Sequence, residues 1–163
     1  ACRAGLDLPV IRGLAEKCGE EDMDDVAWWA ATGGHTDVLD LLASEFGARI
    51  RVDCLAYAAR WGQDAIIDHL VEEYGVDPNG VGEYDGRTAL HWAACDGRVR
   101  TVKHLVEKHN VEIHKRTEND EEDDEEDDGK TALELAERSG RTECAAVLRA
   151  LQSTNGELDF SRG

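Results

Sequence analysis

One spacing recurs four times in this chain, and it leaves few folds open. A residue able to cap a helix is followed five positions on by alanine and nine positions on by glycine, in the copies Asp25–Gly34, Asp53–Gly62, Thr88–Gly97 and Thr131–Gly140. Five beyond each glycine stand Leu39, Ile67, Val102 and Ala145, and eight beyond stand Leu42, Leu70, Leu105 and Leu148. Apolar residues three or four apart lie on one face of a helix. Glycine supplies the left-handed backbone at which helices stop. Each copy therefore reads as a helix, a turn and a second helix. A unit that small cannot bury its own apolar face, so the copies must stack. The expected fold class is all-α: a helix-turn-helix repeat solenoid.

The copy from Asp85 to Gly97 shows the logic most fully. Thr88 is placed to cap the first helix. Leu90 and Ala93 share a face, and the small Ala93 and Ala94 let two helices come close. Val102, Leu105 and Val106 form the apolar side of the second helix. Asn110 stands where Gly47 and Gly75 end the equivalent helices, and Asn is the usual substitute for Gly in a left-handed cap. Asp25, Asp53 and Thr131 occupy the Thr88 position and are expected to cap their own helices. Thr131 and Glu134 also fit the reciprocal capping box.

The run Asp85-Gly86-Arg87-Thr88-Ala89-Leu90-His91-Trp92-Ala93-Ala94 resembles the ankyrin signature, shortened by one residue before the glycine. Gly129 to Ala136 is a weaker match, and Val76-Asp77-Pro78-Asn79 is similar to the family's repeat ending. The resemblance covers nearly all of residues 1–152. Trp28 and Ala56 replace the signature histidine in two copies, and His91 alone keeps it. The resemblance implies that His91 is structural and bonds toward the next repeat's backbone. It implies repeats at about 1–20 (partial), 25–50, 53–80, 85–115 and 129–152, joined by short β-hairpin or loop fingers, with 153–163 as a polar tail. Ala1, Cys2 and Gly5 look like the end of a truncated first helix, followed by a second helix from Pro9. A chain that starts inside a repeat is expected to be a piece of a longer protein.

The glycine spacings are 28, 35 and 43 residues, around a family period of about 33. The short one leaves little room for a finger between Gly47 and Asp53. The long one carries residues 118–128, ten of which are acidic, Asn119 excepted. Insertions in such repeats fall in loops on one face, so this run is expected to project from a fingertip. It reads either as a solvated insertion or as a steering element for a basic partner. A calcium loop fails, because its twelfth position is Leu135 rather than Glu.

The formal charge is −18, and the chain stays acidic without that run. This argues against nucleic acid and against anionic membranes. A protein partner with a basic segment is the natural complement. Five scattered cysteines with no C-x-x-C pair suggest neither a disulfide framework nor a zinc site, and an intracellular, reducing compartment fits them. His69 and His104 recur at one register on second helices, but no further ligand repeats there, so they are read as structural. No enzyme motif, cofactor motif or activated nucleophile is present.

The resemblance implies that a repeat protein of this kind holds another protein through its concave face and fingertips. The residues before each repeat glycine line that face: Thr32 and Gly33, Arg60 and Trp61, Cys95 and Asp96, Arg138 and Ser139. Tryptophan at such a position is notable, since Trp and Arg dominate binding hot spots. One position earlier than the repeat alanine stand Trp29, Tyr57 and Trp92. They either form a ladder that grips an extended peptide or pack between repeats as core. With Arg87, the expected partner-binding set is Trp29, Tyr57, Arg60, Trp61, Arg87, Trp92, Cys95, Asp96 and Arg138. Three readings compete with a free-standing binding module. They are a subunit docked in a larger assembly, the targeting module of a longer enzyme, and an acidic chaperone.

Overall fold

Helix boundaries here follow from where backbone groups find partners. The computed structural model describes Gly13 and residues 20–83, 86–118 and 129–158, without the side chains of 20–25 and 154–158. Among the described residues from 20 on, eight helices follow in pairs: α1 (Glu20–Gly33) with α2 (Thr36–Phe46), α3 (Val52–Trp61) with α4 (Asp64–Glu72), α5 (Ala89–Cys95) with α6 (Val99–His109), and α7 (Ala132–Arg138) with α8 (Thr142–Leu158). First helices pack side by side in the order α1, α3, α5, α7, and each second helix packs on its own first helix. No strand occurs among the described residues, where one isolated bridge joins Arg116 to Thr131. The fingers are therefore loops. The partial repeat expected before residue 20 lies outside the described residues, apart from Gly13.

The core is what the spacing demanded. Leu39, Ile67, Val102, Ala145, Leu42, Leu70, Leu105 and Leu148 are all buried. Ala27, Ala30, Ala31, Ala58, Ala59, Ala93, Ala94 and Ala136 are buried on the first helices, where small side chains allow close approach. Truncating one of these leucines would cost about 2–5 kcal/mol. Gly47 and Asn110 both adopt the left-handed conformation, at φ 66° and 49°.

Capping divides the copies. Thr88 and Thr131 cap α5 and α7 in reciprocal boxes with His91 and Glu134. The caps expected at Asp25 and Asp53 do not form. Asp25 lies inside α1, which starts at Glu20, and Arg51 takes the cap position of α3 with no side-chain bond. Asp53 instead reaches across the repeat and accepts from the Glu83 N–H at 3.2 Å. At the other end α8 continues past residue 152 to Leu158.

A second device, absent from the sequence reading, ties neighbouring repeats together. Gln63, Arg98 and Arg141 each follow a repeat glycine. Their side chains donate to the carbonyls of Thr32 (3.0 Å), Arg60 (2.8 Å) and Cys95 (3.1 Å). Those carbonyls belong to the last turn of the preceding first helix, where intrahelical partners run out. The buried Asp64 carboxylate joins α4 to α6, accepting from Thr101 Oγ1 at 2.6 Å and Arg100 Nε at 2.5 Å. Thr117 and Lys130 clasp the base of the acidic insertion. The Thr117 N–H donates to the Lys130 carbonyl at 2.9 Å, and the Lys130 N–H donates to Thr117 Oγ1 at 3.0 Å. Residues 119–128 lie outside the described residues.

Candidate interaction face on the first helices

Aromatic rings run across the row of first helices in one continuous stack. Trp29 stacks on Trp28 with centroids 4.5 Å apart, Trp28 on Tyr57 at 4.7 Å, and Tyr57 faces Trp92 at 6.5 Å. Helix pairing brings these three repeats into register, so equivalent positions meet. The stack differs from the expected ladder in one member. Trp28 holds the place beside Tyr57, and Trp29 rides outside it, 63 % exposed. Trp28 stands at the signature-histidine position. It falls one residue before the register of the expected ladder, and its tryptophan identity is the available signal.

The far end of the stack is cationic. The guanidinium groups of Arg60 and Arg87 lie over the Trp92 ring, 4.3 and 4.8 Å from its centroid. Such contacts are worth about 0.5–1 kcal/mol where partly exposed. Arg60 also pairs with Asp96, its Nε 3.1 Å from Oδ2. Tyr57, Trp92 and Asp96 are half-buried by these contacts. Cys95 meets the next repeat through Ser139, with Sγ 3.2 Å from Oγ. Arg138 is exposed at the end of α7. Trp61 ends α3 at 54 % exposure among the described residues. Six of the nine expected residues thus belong to one connected strip: Trp29, Tyr57, Arg60, Arg87, Trp92 and Asp96.

Immediately beneath this strip, His91 is buried and structural. Its Nδ1 accepts from the Thr88 N–H at 3.1 Å, and the Thr88 hydroxyl is 3.0 Å away. Its Nε2 lies 2.9 Å from the Lys115 carbonyl, to which it donates, in the segment leading to the next repeat. Burial pushes the imidazole down to about 4, so it is neutral at pH 7 and Nδ1 is free to accept. The equivalent Glu134 carboxyl is held low by the Thr131 N–H and hydroxyl.

A sequence model of ankyrin repeats matches residues 55–157 as three copies. The chain belongs to the ankyrin repeat family. A 49-residue stretch is 39 % identical to the probable protein S-acyltransferase 23 of Arabidopsis thaliana. That stretch is 30 % of this chain and 9 % of the plant protein, so the chain spans a small part of that relative. Ankyrin repeats are protein-interaction modules, and the stacked strip lies on the helices that such arrays align. Among the described residues, no helix is long and apolar enough to cross a membrane.

Proposed function

We propose that this ankyrin array is a non-enzymatic binding module that holds an extended segment of a protein partner along the first-helix face. The observation that carries the reading is the pair of exposed tryptophans, Trp29 and Trp61, beside a pre-stacked aromatic strip. Exposed tryptophan offers large apolar area with few rotatable bonds, so burying it under a partner costs little ordering entropy. The strip itself is held by stacking and by the Arg60–Asp96 pair, which keeps the surface prearranged. Arg87 and Arg138 would meet acidic or carbonyl groups of the bound segment. The acidic run 118–128 would steer a partner that also carries a basic stretch.

The test is affinity purification with the chain as bait, set against a Trp29→Ala, Trp61→Ala variant. Loss of the same partners from the folded variant is the expected result. Full retention would move the interface off this face. A second reading, that the chain is the targeting module of a longer enzyme, draws on the local likeness to a protein S-acyltransferase. The full transcript decides that point directly.

A further inference from the structure

The second helices carry a repeated contact between a carboxylate and an imidazole. Asp40 on α2 has Oδ1 2.7 Å from His69 Nε2 and 2.7 Å from the Tyr74 hydroxyl. One repeat on, Asp68 on α4 has Oδ1 2.7 Å from His104 Nε2 and 2.7 Å from His109 Nε2. The registers correspond residue for residue. Asp40 and Asp68 stand six beyond their glycines, His69 and His104 seven, and Tyr74 and His109 twelve. Ring geometry matches too: His69 and Tyr74 meet edge-on at 5.6 Å and 73°, His104 and His109 at 5.4 Å and 70°. One replacement, phenol by imidazole, separates the two clusters.

We propose that Asp68, His104 and His109 form a site for a zinc-class divalent cation that pins α4 to α6. Their ligand atoms all lie within 4.8 Å of one another. Two imidazoles and one carboxylate are a ligand set that borderline transition cations take, commonly with a water in the fourth position. Zinc sits about 2.0–2.2 Å from such atoms, so tetrahedral ligands stand about 3.3 Å apart. Each Nε2 must therefore retreat from Oδ1 by roughly 0.6 Å. His109 ends α6 just before the left-handed Asn110, so its adjustment falls on the last residue of the helix. Ligation requires each Nε2 to carry no proton, so that its lone pair faces the cation and any ring N–H is on Nδ1.

Lys108 bears on the site from outside. Its Nζ is 2.8 Å from Asp68 Oδ2 and 2.9 Å from Glu72 Oε1. The ammonium holds the far oxygen and turns Oδ1 toward the two rings. Its charge weakens cation binding, but Glu72 shares it, and Oδ1 stays available. The sister cluster lacks the chemistry. Burial, and then the Asp40 carboxylate, raise the Tyr74 hydroxyl far above neutral pH, so it keeps its proton. The sister therefore serves as an internal control.

The experiment uses the untagged full chain under reducing conditions. Excess Ca²⁺ is added to compete with Zn²⁺ for loose binding to the carboxylates of the acidic run. Calorimetric titration with Zn²⁺ and thermal melts are read on wild type, His109→Tyr and Tyr74→His. His109→Tyr rebuilds the sister cluster, keeps a hydroxyl toward Asp68, and should lower affinity at least tenfold and abolish the Zn²⁺-induced rise in Tm. Tyr74→His should add a second equivalent. Co²⁺ should give a tetrahedral absorption band without thiolate charge transfer, since no cysteine takes part. Equal Zn²⁺ binding by wild type and His109→Tyr would overturn the site. So would a thiolate band, or a Tyr74→His chain that binds no more than the wild type.

Discussion

The two halves of the array use the same register for different ends. In the half built from α5 to α8, the position three after the cap holds His91 and Glu134, and each closes a capping box. In the half built from α1 to α4, that position holds Trp28 and Ala56. Trp28 stacks on Tyr57, and Ala56 is buried. Neither α1 nor α3 starts where a capping residue would place it, yet the leucines and isoleucines beneath are as buried as in the other half. The core row and the polar ties between repeats keep a repeat in the stack without a cap. The capping position is free to change once neighbours hold the helix, and here it has become surface. Among the described residues, the two large exposed hydrophobics, Trp29 and Trp61, lie in the half without boxes.

Acid should break the comparison most strongly, because only one half carries a buried neutral histidine cap. The His91 imidazole titrates at about 4 in the fold against 6.5 when unconstrained, burial being the main cause. Between those values the unfolded chain binds the proton and the fold does not. Stability is therefore complete above about pH 6.5 and falls as pH drops toward about 4, by on the order of 3 kcal/mol. Urea melts at pH 7.0 and 4.5 should show this loss, and His91→Gln, which cannot titrate, should show a flatter profile. Hydrogen exchange should place the first loss of protection in α5 and α6.

Much of this division was legible beforehand, and the illegible part has a physical pattern. The buried rows, the left-handed stops at Gly47 and Asn110, the cap at Thr88 and the box at Thr131 all follow from local spacing, while the return bond from His91 that closes a box at Thr88 was not read from it. Asp25 and Asp53 misled because a good cap residue specifies a helix start only when nothing else competes. Asp53 is drawn instead to the Glu83 N–H, thirty residues on. Contacts between repeats were harder to see. Gln63, Arg98 and Arg141 share a register but differ in type, so the reach to the preceding helix end became visible only in three dimensions. His109 was missed for a related reason. Its equivalent is a tyrosine, and a search for histidines repeating at one register passes over it.

The seam between the halves gives the next largest effect. Asp64 on α4 is buried and bound by Thr101 and Arg100 of α6. Asp64→Ala removes the acceptor and leaves the buried Thr101 hydroxyl without it. The expected cost is about 2–3 kcal/mol, read as a lower urea midpoint. If the halves are joined chiefly here, the variant should also broaden a single transition into two.

Caps should respond in opposite directions in the two halves. Thr131→Ala removes the hydroxyl that accepts from the Glu134 N–H, and should cost about 1 kcal/mol. Arg51→Ser puts an acceptor where α3 has none, on an extended backbone at φ −111° and ψ 172°. It should gain up to about 1 kcal/mol, less whatever the Arg51–Glu83 pair at 2.5 Å contributes. Loss in both variants would mean that α3 is held by that cross-repeat pair rather than left uncapped.

The smallest expected effect on stability is the most informative about function. Trp29 and Trp61 are exposed, so Trp29→Ala and Trp61→Ala remove little buried area and should each shift unfolding by no more than about 0.5 kcal/mol. Trp29 forfeits one stacking contact with Trp28, which puts its cost at the upper end of that range. Trp92→Ala should behave differently, because its ring underlies two guanidinium groups and faces Tyr57. Removing it should loosen Arg60 and Arg87 as well as the stack, at a cost of about 1–2 kcal/mol. Thermal melts of the three variants therefore separate surface from scaffold on one face. Tryptophans that stabilise nothing when removed, yet abolish partner capture, are binding residues in the strict sense. If instead Trp29→Ala destabilises as much as Trp92→Ala, the whole stack is scaffold, and the half without boxes replaces caps with aromatic packing.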